Sequence, residues 1–276
     1  MRRIFIGLIA AAALFAGSFE EGRQAFAEGH YEKAEKLFEK ACVEGDKRGC
    51  FSLEYLRGEG QTVQKSYDSV VKEYTQACRK GVAGACFRLG VRYAYGLGVR
   101  QSYREAVPWF AKACENGDIR TCYALGRRYV EGQGVPQDYT EAGEYFKRAC
   151  DGGSAAGCAW LGYLYGHGYG YGRDDKKAAA YYAKACEGGD ARGCYYLGTM
   201  YAKGGGLRQN YAKAAELFER ACQGANADGC AALGMLYQHG YGVREDAQKA
   251  KALFGRACDG GSEEGCRFYR ILNNRR

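Results

Sequence analysis

Cysteines are the residues whose type and spacing most clearly indicate chemistry. The chain has 14 of them, in seven pairs whose members are eight positions apart. Each pair follows the one before it by 36 positions, without exception. Cysteines form disulfides in oxidising compartments, and they bind zinc where four ligands converge, usually with two-residue spacings. The eight-residue spacing therefore favours disulfides over zinc.

Two disulfide pairings are compatible with this pattern. Joining each second cysteine to the first cysteine of the next pair would orphan Cys42 and Cys266, whereas joining the members of each pair uses every cysteine. Across a short turn between two helices, paired sulfurs face each other at the Cα separation of about 5.5 Å that a disulfide needs. We predict the local bridges Cys42–Cys50, Cys78–Cys86, Cys114–Cys122, Cys150–Cys158, Cys186–Cys194, Cys222–Cys230 and Cys258–Cys266.

A Ser-x-x-Lys sequence, from Ser69 to Lys72, is a second candidate for chemistry. Serine enzymes that act on β-lactams use this spacing, because the lysine assists attack by the serine hydroxyl. Their supporting motifs, Ser-Asp-Asn and Lys-Thr-Gly, do not occur in the sequence. The match falls in the first turn of a predicted helix, at positions that vary between the 36-residue copies. A chance match is the simpler explanation, and the identity of any catalytic residue stays open.

Histidine and glycine patterns do not predict a metal or cofactor site. Only three histidines occur, and the zinc-binding sequence His-Glu-x-x-His is absent. His167 and His239 share one position two copies apart, about 20 Å from each other if neighbouring helix layers pack about 10 Å apart. The glycine-rich stretches 166–172 and 204–206 lack the spacing of phosphate-binding loops. We expect no metal and no cofactor.

Tyrosines are the remaining candidates for ligand binding, and the chain contains 24. Five share one helical position of the repeat, which predicts a packing role: Tyr93, Tyr129, Tyr165, Tyr201 and Tyr237. Four others fall in the predicted connecting loops: Tyr95, Tyr169, Tyr171 and Tyr241. Rigid, exposed aromatic side chains make good binding anchors, so these four are the candidate ligand-binding residues.

One 36-residue copy predicts a pair of helices that would position these residues. In residues 138–173, Asp138 caps a first helix with Glu141 in a capping-box arrangement, and apolar residues recur at helical spacing as far as Cys150. Glycines then break this helix, and a second apolar stripe begins at Cys158. The capping position in the other copies holds His30, Ser66, Ser102, Asp174, Asn210 and Asp246, of which all but His30 are good caps.

Two glycine positions of the repeat predict separate structural roles. The first ends the first helix in a left-handed conformation. It holds Gly45, Gly81, Gly117, Gly153, Gly189 and Gly261, with Ala225 in the remaining copy. The second lies inside the second helix, where glycine costs about 1 kcal/mol relative to alanine, so we predict close helix approach there. It holds Gly90, Gly126, Gly162, Gly198 and Gly234.

The repeat also predicts the organisation of the chain. A fixed period of this length is typical of a solenoid in which each copy packs on its neighbours. Arg2 and Arg3 precede an apolar run over residues 4–16, which is typical of a signal peptide and too short to span a membrane. We predict a signal peptide at 1–18, an N-terminal cap helix at 19–29 and a solenoid at 30–276, with copies at 30–65, 66–101, 102–137, 138–173, 174–209, 210–245 and 246–276.

Composition narrows the functional classes. Hydrophobic residues make up 47% of the chain and charged residues 26%, as in proteins that bury a core. The net charge of +8 is mild and its bases are interleaved with acids, so nucleic acid is not an expected partner. No second apolar stretch follows residue 16, so we expect no membrane anchor after signal cleavage. We also expect the chain to be a monomer.

The copies resemble a known family. They share Tyr-x-x-Ala-x-x-x-Phe-x-x-Ala-Cys, followed by Gly-Cys, Leu-Gly-x-x-Tyr and Gly-x-Gly. This pattern is similar to the Sel1-like repeat, a relative of the tetratricopeptide repeat, and over residues 30–276 its bridged form resembles the secreted Helicobacter cysteine-rich proteins. The resemblance implies a right-handed α/α superhelical solenoid, export, and a groove that binds peptides or proteins. For some members of that family it implies penicillin binding with slow β-lactam hydrolysis.

Three functional hypotheses follow. The first is a secreted or periplasmic scaffold that binds a peptide, a protein or a peptidoglycan fragment in its groove and has no chemistry of its own. The alternative is a β-lactam-binding protein with slow β-lactamase activity, as the resemblance implies. The third is a stable surface antigen that binds a host receptor.

Overall fold

Helices make up all the regular structure in the part of the chain that the computed structural model describes, residues 17–44, 46–58, 64–96 and 99–274. These 15 helices are α1 Ser18–Ala27, α2 Tyr31–Val43, α3 Lys47–Gly58, α4 Gln64–Arg79, α5 Ala83–Tyr95, α6 Tyr103–Glu115, α7 Ile119–Glu131, α8 Tyr139–Asp151, α9 Ala155–His167, α10 Asp175–Glu187, α11 Ala191–Lys203, α12 Tyr211–Gln223, α13 Ala227–His239, α14 Ala247–Asp259 and α15 Glu263–Asn273. None of the described helices is long and apolar enough to cross a membrane.

The helices belong to two compact units, Met1–Asn116 and Gly117–Arg276. Helices α1–α6 lie in the first unit and α7–α15 in the second. In the first unit α1 packs on α2, α2 on α3, α4 on α5 and α5 on α6, and in the second unit each helix from α7 to α14 packs on the next. This confirms the predicted hairpin repeat. In the second unit the second helices of adjacent copies also contact each other, α9 with α11, α11 with α13 and α13 with α15.

Side chains cap most of the first helices as the sequence predicts. Asp138 Oδ1 accepts the backbone N–H groups of Thr140 and Glu141 at 2.8 and 3.0 Å. Ser102, Asp174, Asn210 and Asp246 cap their helices in the same way. In a capping box the Glu141 side chain would accept the Asp138 N–H. Here the Asp138 N–H donates to the Tyr129 carbonyl of the preceding helix instead.

Ser66 is a wrong prediction among these caps. Helix α4 begins at Gln64, so Ser66 lies inside the helix. Gln64 and Lys65 are good helix formers, and they extend this helix upstream of the position at which the other copies begin. A further set of caps, not predicted from the sequence, starts the second helices: Asp118, Ser154, Asp190, Asn226 and Ser262.

Disulfides join the two helices of a hairpin next to the turn. The structure bonds Cys42–Cys50, Cys78–Cys86, Cys150–Cys158, Cys186–Cys194, Cys222–Cys230 and Cys258–Cys266, with Cα separations of 4.3 to 4.7 Å. Cys114 and Cys122 are also disulfide-bonded, and none of the described cysteines is free. Disulfides of this number indicate an oxidising compartment.

Small residues let the two helices of each hairpin approach closely beside the bridge. A Cβ atom on Gly157 would lie 2.8 Å from the Ala149 Cβ, and one on Gly193 would lie 2.5 Å from the Ala185 Cβ. Both alanines are fully buried. In five copies the alanine before the first cysteine packs in this way against a glycine on the facing helix, Gly49, Gly157, Gly193, Gly229 or Gly265. Ala85 and Thr121 hold the glycine position in the other two copies.

The glycine inside five of the second helices receives an aromatic ring from the next first helix. A Cβ atom on Gly162 would lie 2.8 Å from the Tyr182 ring, and one on Gly126 would lie 2.6 Å from the Phe146 ring. Gly90 meets Phe110, Gly198 meets Phe218 and Gly234 meets Phe254 in the same way. This confirms the predicted close approach. Arg270 holds the equivalent position in the final helix, so α15 offers no such recess to a further copy.

The turn between α12 and α13 provides a test of the left-handed position. Ala225 has a φ of 60° there, whereas the described glycines at this position have φ values of 87 to 95°. A side chain in the left-handed region costs about 1–2 kcal/mol, so we expect Ala225→Gly to raise the free energy of unfolding by about 1 kcal/mol. Gly189→Ala, the reverse change one copy earlier, should lower it by a similar amount. Denaturant unfolding in which both variants shift the same way would contradict this account.

Candidate ligand-binding surface

Helix α4 carries the Ser-x-x-Lys sequence. The Lys72 side chain is exposed, while the Ser69 side chain lies outside the described residues. Among the described residues, no three His, Cys, Asp or Glu side chains lie close enough together to hold a metal ion.

Three of the four predicted tyrosine anchors are exposed. Tyr95 is the last residue of α5 rather than a loop residue, and it is 43% exposed. Tyr169 and Tyr241 lie in the loops after α9 and α13 and are 40% and 49% exposed. Their rings stack on Tyr139 and Tyr211, with centroids 5.0 and 5.1 Å apart. Tyr169 and Tyr241 are therefore held by the first helices of their own copies.

Tyr171 is half-buried, so the expectation that it is exposed is wrong. Its ring stacks on Tyr165 with centroids 4.8 Å apart, and it covers Gly143, where there is no space for a Cβ atom. Burial, followed by the negative charge of Glu144, raises the pKa of Tyr171 to about 12. The same position holds Val99, Val135, Leu207 and Val243 in other copies, which marks it as an apolar position of the repeat.

A cluster of aromatic side chains lies on the second helices α9 and α11. The Tyr163 ring centroid is 5.7 Å from that of Trp160 and 6.3 Å from that of Tyr196. With Ala159 and Arg192, these side chains line a cavity of 260 Å³. His167 and Tyr169 extend the cluster, with ring centroids 4.0 and 6.0 Å from Tyr163. We call Trp160, Tyr163, His167, Tyr169, Arg192 and Tyr196 the α9–α11 patch.

The repeat itself does not require aromatic residues at these positions. The Trp160 position holds Ala124 one copy earlier, Tyr196 one copy later and Ala232 two copies later. The Tyr163 position holds Thr199 and Met235 in the next two copies. Shared positions build the core, whereas the patch belongs to the fourth and fifth copies. The sequence interpretation missed Trp160 and Tyr163. A comparison of the same position between copies could have found them, because each is aromatic where other copies hold a non-aromatic residue.

Hydrogen-bond donors converge beside the cavity, around Tyr123 of helix α7. Burial by itself would raise the Tyr123 pKa. The Trp160 indole N–H and the Arg127 and Arg192 guanidinium groups lie close to the Tyr123 hydroxyl and, together with the charge of Arg192, lower this pKa below its ordinary value instead. The Trp160 Nε1 is buried and has no hydrogen bond of good geometry, although it lies close to Tyr123. The Arg127 Cζ lies 5.9 Å from the centroid of the Trp160 ring.

Each of the two arginines has an acidic partner. Arg192 Nη2 donates to Asp190 Oδ2 at 3.1 Å, and Arg127 pairs with Glu131 one helical turn away. Asp190 is fixed in place, because it also caps α11 by accepting backbone N–H groups. A guanidinium carries five N–H donors, so each arginine keeps donors for another acceptor.

The repeats match the family model described as the Sel1 repeat in six windows, residues 11–46, 83–118, 119–154, 155–190, 191–226 and 227–262. From residue 83 onwards each window begins with a second helix, so it is the predicted 36-residue copy read from a different starting point. The matched windows cover more than half of the chain. The chain belongs to the Sel1 repeat family. Scaffolds of this family typically mediate protein–protein interaction.

Solved structures of Sel1 repeat proteins are similar to the chain. A Sel1 repeat protein from Oxalobacter formigenes is 32% identical, with a TM-score of 0.57, and the match covers 87% of this chain and 99% of that one. A protective antigen of uropathogenic Escherichia coli with an SLR fold is 28% identical, with a TM-score of 0.67 over 99% of this chain, which spans 60% of the antigen's length. Helicobacter pylori cysteine rich protein B is 33% identical, with a TM-score of 0.38, over 46% of this chain and 91% of that one. No curated protein matches the chain.

Proposed function

We propose that this Sel1 repeat protein is an exported scaffold that binds a segment of a partner protein on the α9–α11 patch. The observation that carries the proposal is the local concentration of Trp160, Tyr163 and Tyr196 at positions that the repeat leaves free. Tryptophan, tyrosine and arginine provide most of the binding energy at protein interfaces, and all three line this cavity.

The size of the cavity favours a protein side chain as its occupant. Sites for small molecules and cofactors enclose about 300–1,000 Å³, whereas this cavity encloses 260 Å³. One inserted side chain fills such a space, and the flanking residues of the same segment would lie along Tyr163 and Tyr169. A peptide segment can therefore place one side chain in the cavity and pack its neighbouring residues on the α9–α11 patch.

Export is supported by the cysteines and by the N-terminal sequence. Disulfides form and persist outside the reducing cytosol, and every described cysteine is bonded. The apolar run at residues 4–16, which lies outside the described residues, follows two arginines as in signal peptides. We place the protein in the periplasm or outside the cell, with residues 1–18 removed.

Selection of a random peptide library on the oxidised protein tests the proposed function. We expect the enriched peptides to bind Trp160→Ala about 30-fold more weakly than the unmodified protein, since truncating an aromatic anchor at an interface costs about 2 kcal/mol. Affinities are measured by isothermal titration calorimetry.

Phe268→Ala is the matched control for this experiment. Phe268 holds the Trp160 position three copies later, and it stacks on Phe254 as Trp160 stacks on Phe146. Both substitutions therefore remove the same kind of packing, but only one lies in the patch. Peptides that lose equal affinity for both variants, or for neither, would rule the patch out as the binding site.

A further inference from the structure

The polar edge of the α9–α11 patch has donors that the fold does not fully use. Tyr123, Arg127, Trp160 and Arg192 bring a hydroxyl, an indole N–H and two guanidinium groups to one side of the cavity. Three of these four side chains can only donate, and the indole N–H is buried without a hydrogen bond of good geometry. The Arg192 and Arg127 side chains are 45% and 43% exposed, so their remaining N–H groups can reach an acceptor that comes from outside.

An ionised carboxylate is the acceptor that fits best. It offers about four acceptor sites on two oxygens, and arginine binds it through two parallel N–H groups. Hydrogen bonds to a charged acceptor are also stronger than those to a neutral amide oxygen. An amide oxygen offers one acceptor atom to these donors, whereas a carboxylate offers two and can accept from both guanidinium groups.

The local charge balance determines how this carboxylate must be presented. Asp190 and Glu131 already neutralise Arg192 and Arg127, so the edge has little net positive charge to attract a free anion. The attraction to a carboxylate then comes from short-range hydrogen bonds. Such hydrogen bonds require the carboxylate to be held close to the donors. A side chain of the same peptide, inserted in the 260 Å³ cavity, would hold it there.

We infer that the α9–α11 patch recognises an acidic peptide segment, in which one apolar side chain fills the cavity and an adjacent carboxylate binds Arg192 and the donors beside it. This inference rests on the proposed function and specifies the chemistry of the partner at the same site. The carboxylate belongs to an aspartate, a glutamate or a chain terminus of the segment.

Trp160 gives a direct readout of this contact. The chain has two tryptophans, so Trp109→Phe leaves the Trp160 indole as the only tryptophan fluorophore. Peptides enriched from the random library are synthesised in pairs, with each carboxylate kept or replaced by its amide. We expect the carboxylate form to bind at least tenfold more tightly than the amide form when the quenching of Trp160 is titrated.

Arg192→Gln and Arg48→Gln form a matched pair of variants. Arg48 holds the Arg192 position four copies earlier, and it pairs with Asp46 at 2.8 Å as Arg192 pairs with Asp190. We expect Arg192→Gln to abolish the difference between carboxylate and amide peptides, and Arg48→Gln to preserve it. Circular dichroism verifies that both variants are folded.

The outcomes separate this inference from the proposed function. Peptides that bind through Trp160 but have equal affinity as carboxylates and amides would overturn the inference and leave the proposed function standing. A carboxylate preference that survives Arg192→Gln would also overturn it. If no enriched peptide depends on Trp160, both proposals fail.

Discussion

Replacing Gly162 with valine is expected to lower the free energy of unfolding by about 3 kcal/mol. A Cβ atom at this position would lie 2.8 Å from the Tyr182 ring, closer than real contacts allow. Tyr182 is only 3% exposed, so the ring has no free space into which it can move. Overpacking of this kind costs about 1–3 kcal/mol, and valine adds two more methyl groups beyond the first clash. Guanidinium denaturation followed by circular dichroism measures the change.

Gly166→Ala is the control for this substitution. Gly166 lies one turn further along α9, and its nearest neighbour, the Ala178 Cβ, would be 3.5 Å from an added methyl group. That is an ordinary contact, and alanine is a better helix former than glycine by about 1 kcal/mol. We therefore expect Gly166→Ala to be neutral or stabilising. Equal stabilities for Gly162→Val and Gly166→Ala would show that the glycine is not required for packing.

Loss of the disulfides is expected to unfold the chain at 37 °C. Each bridge closes a loop of about eight residues, which contributes roughly 2.5 kcal/mol on the chain-entropy model. Several bridges together exceed the stability of about 5–15 kcal/mol that a domain normally has. Thermal unfolding of the oxidised protein, compared with protein reduced in denaturant and returned to buffer with reductant, measures the effect.

The position of each bridge determines what a single loss should do. A bridge such as Cys186–Cys194 is buried within one hairpin, and stability in a repeat array is a sum over units and their interfaces. Cys186→Ala with Cys194→Ala should therefore destabilise the protein by about 2–3 kcal/mol without unfolding it. A fully reduced protein with an unchanged melting temperature would contradict the role assigned to the bridges.

The architecture could be predicted from the sequence because each structural rule is repeated along the chain. The cysteine period located the hairpins, and the glycine inside the second helix predicted the close helix approach that is found at Gly162. Ser66 shows the limit of this reasoning. It stands at the capping position of its copy, but Gln64 and Lys65 favour an earlier helix start, and local propensity determined the boundary.

The candidate site could not be predicted in the same way, since it lies where the copies differ. Trp160 and Arg192 are on different copies, and the Tyr123 hydroxyl comes from a third helix. Only the packing of α7, α9 and α11 brings them to one cavity. The prediction that Tyr171 is exposed was wrong for the opposite reason. Tyr171 lies in a loop, but the other copies hold apolar residues at the same position.

The most direct test of the central claim is photo-crosslinking from within the α9–α11 patch. Tyr163 is replaced with p-benzoylphenylalanine, an aromatic residue of related shape, and Met235, the same position two copies later, is replaced in a second variant. Each oxidised variant is irradiated with a library-selected peptide, and mass spectrometry locates the adduct. Our account predicts a peptide adduct at position 163 and none at position 235. Equal crosslinking at both positions, or an adduct at position 235 alone, would contradict it.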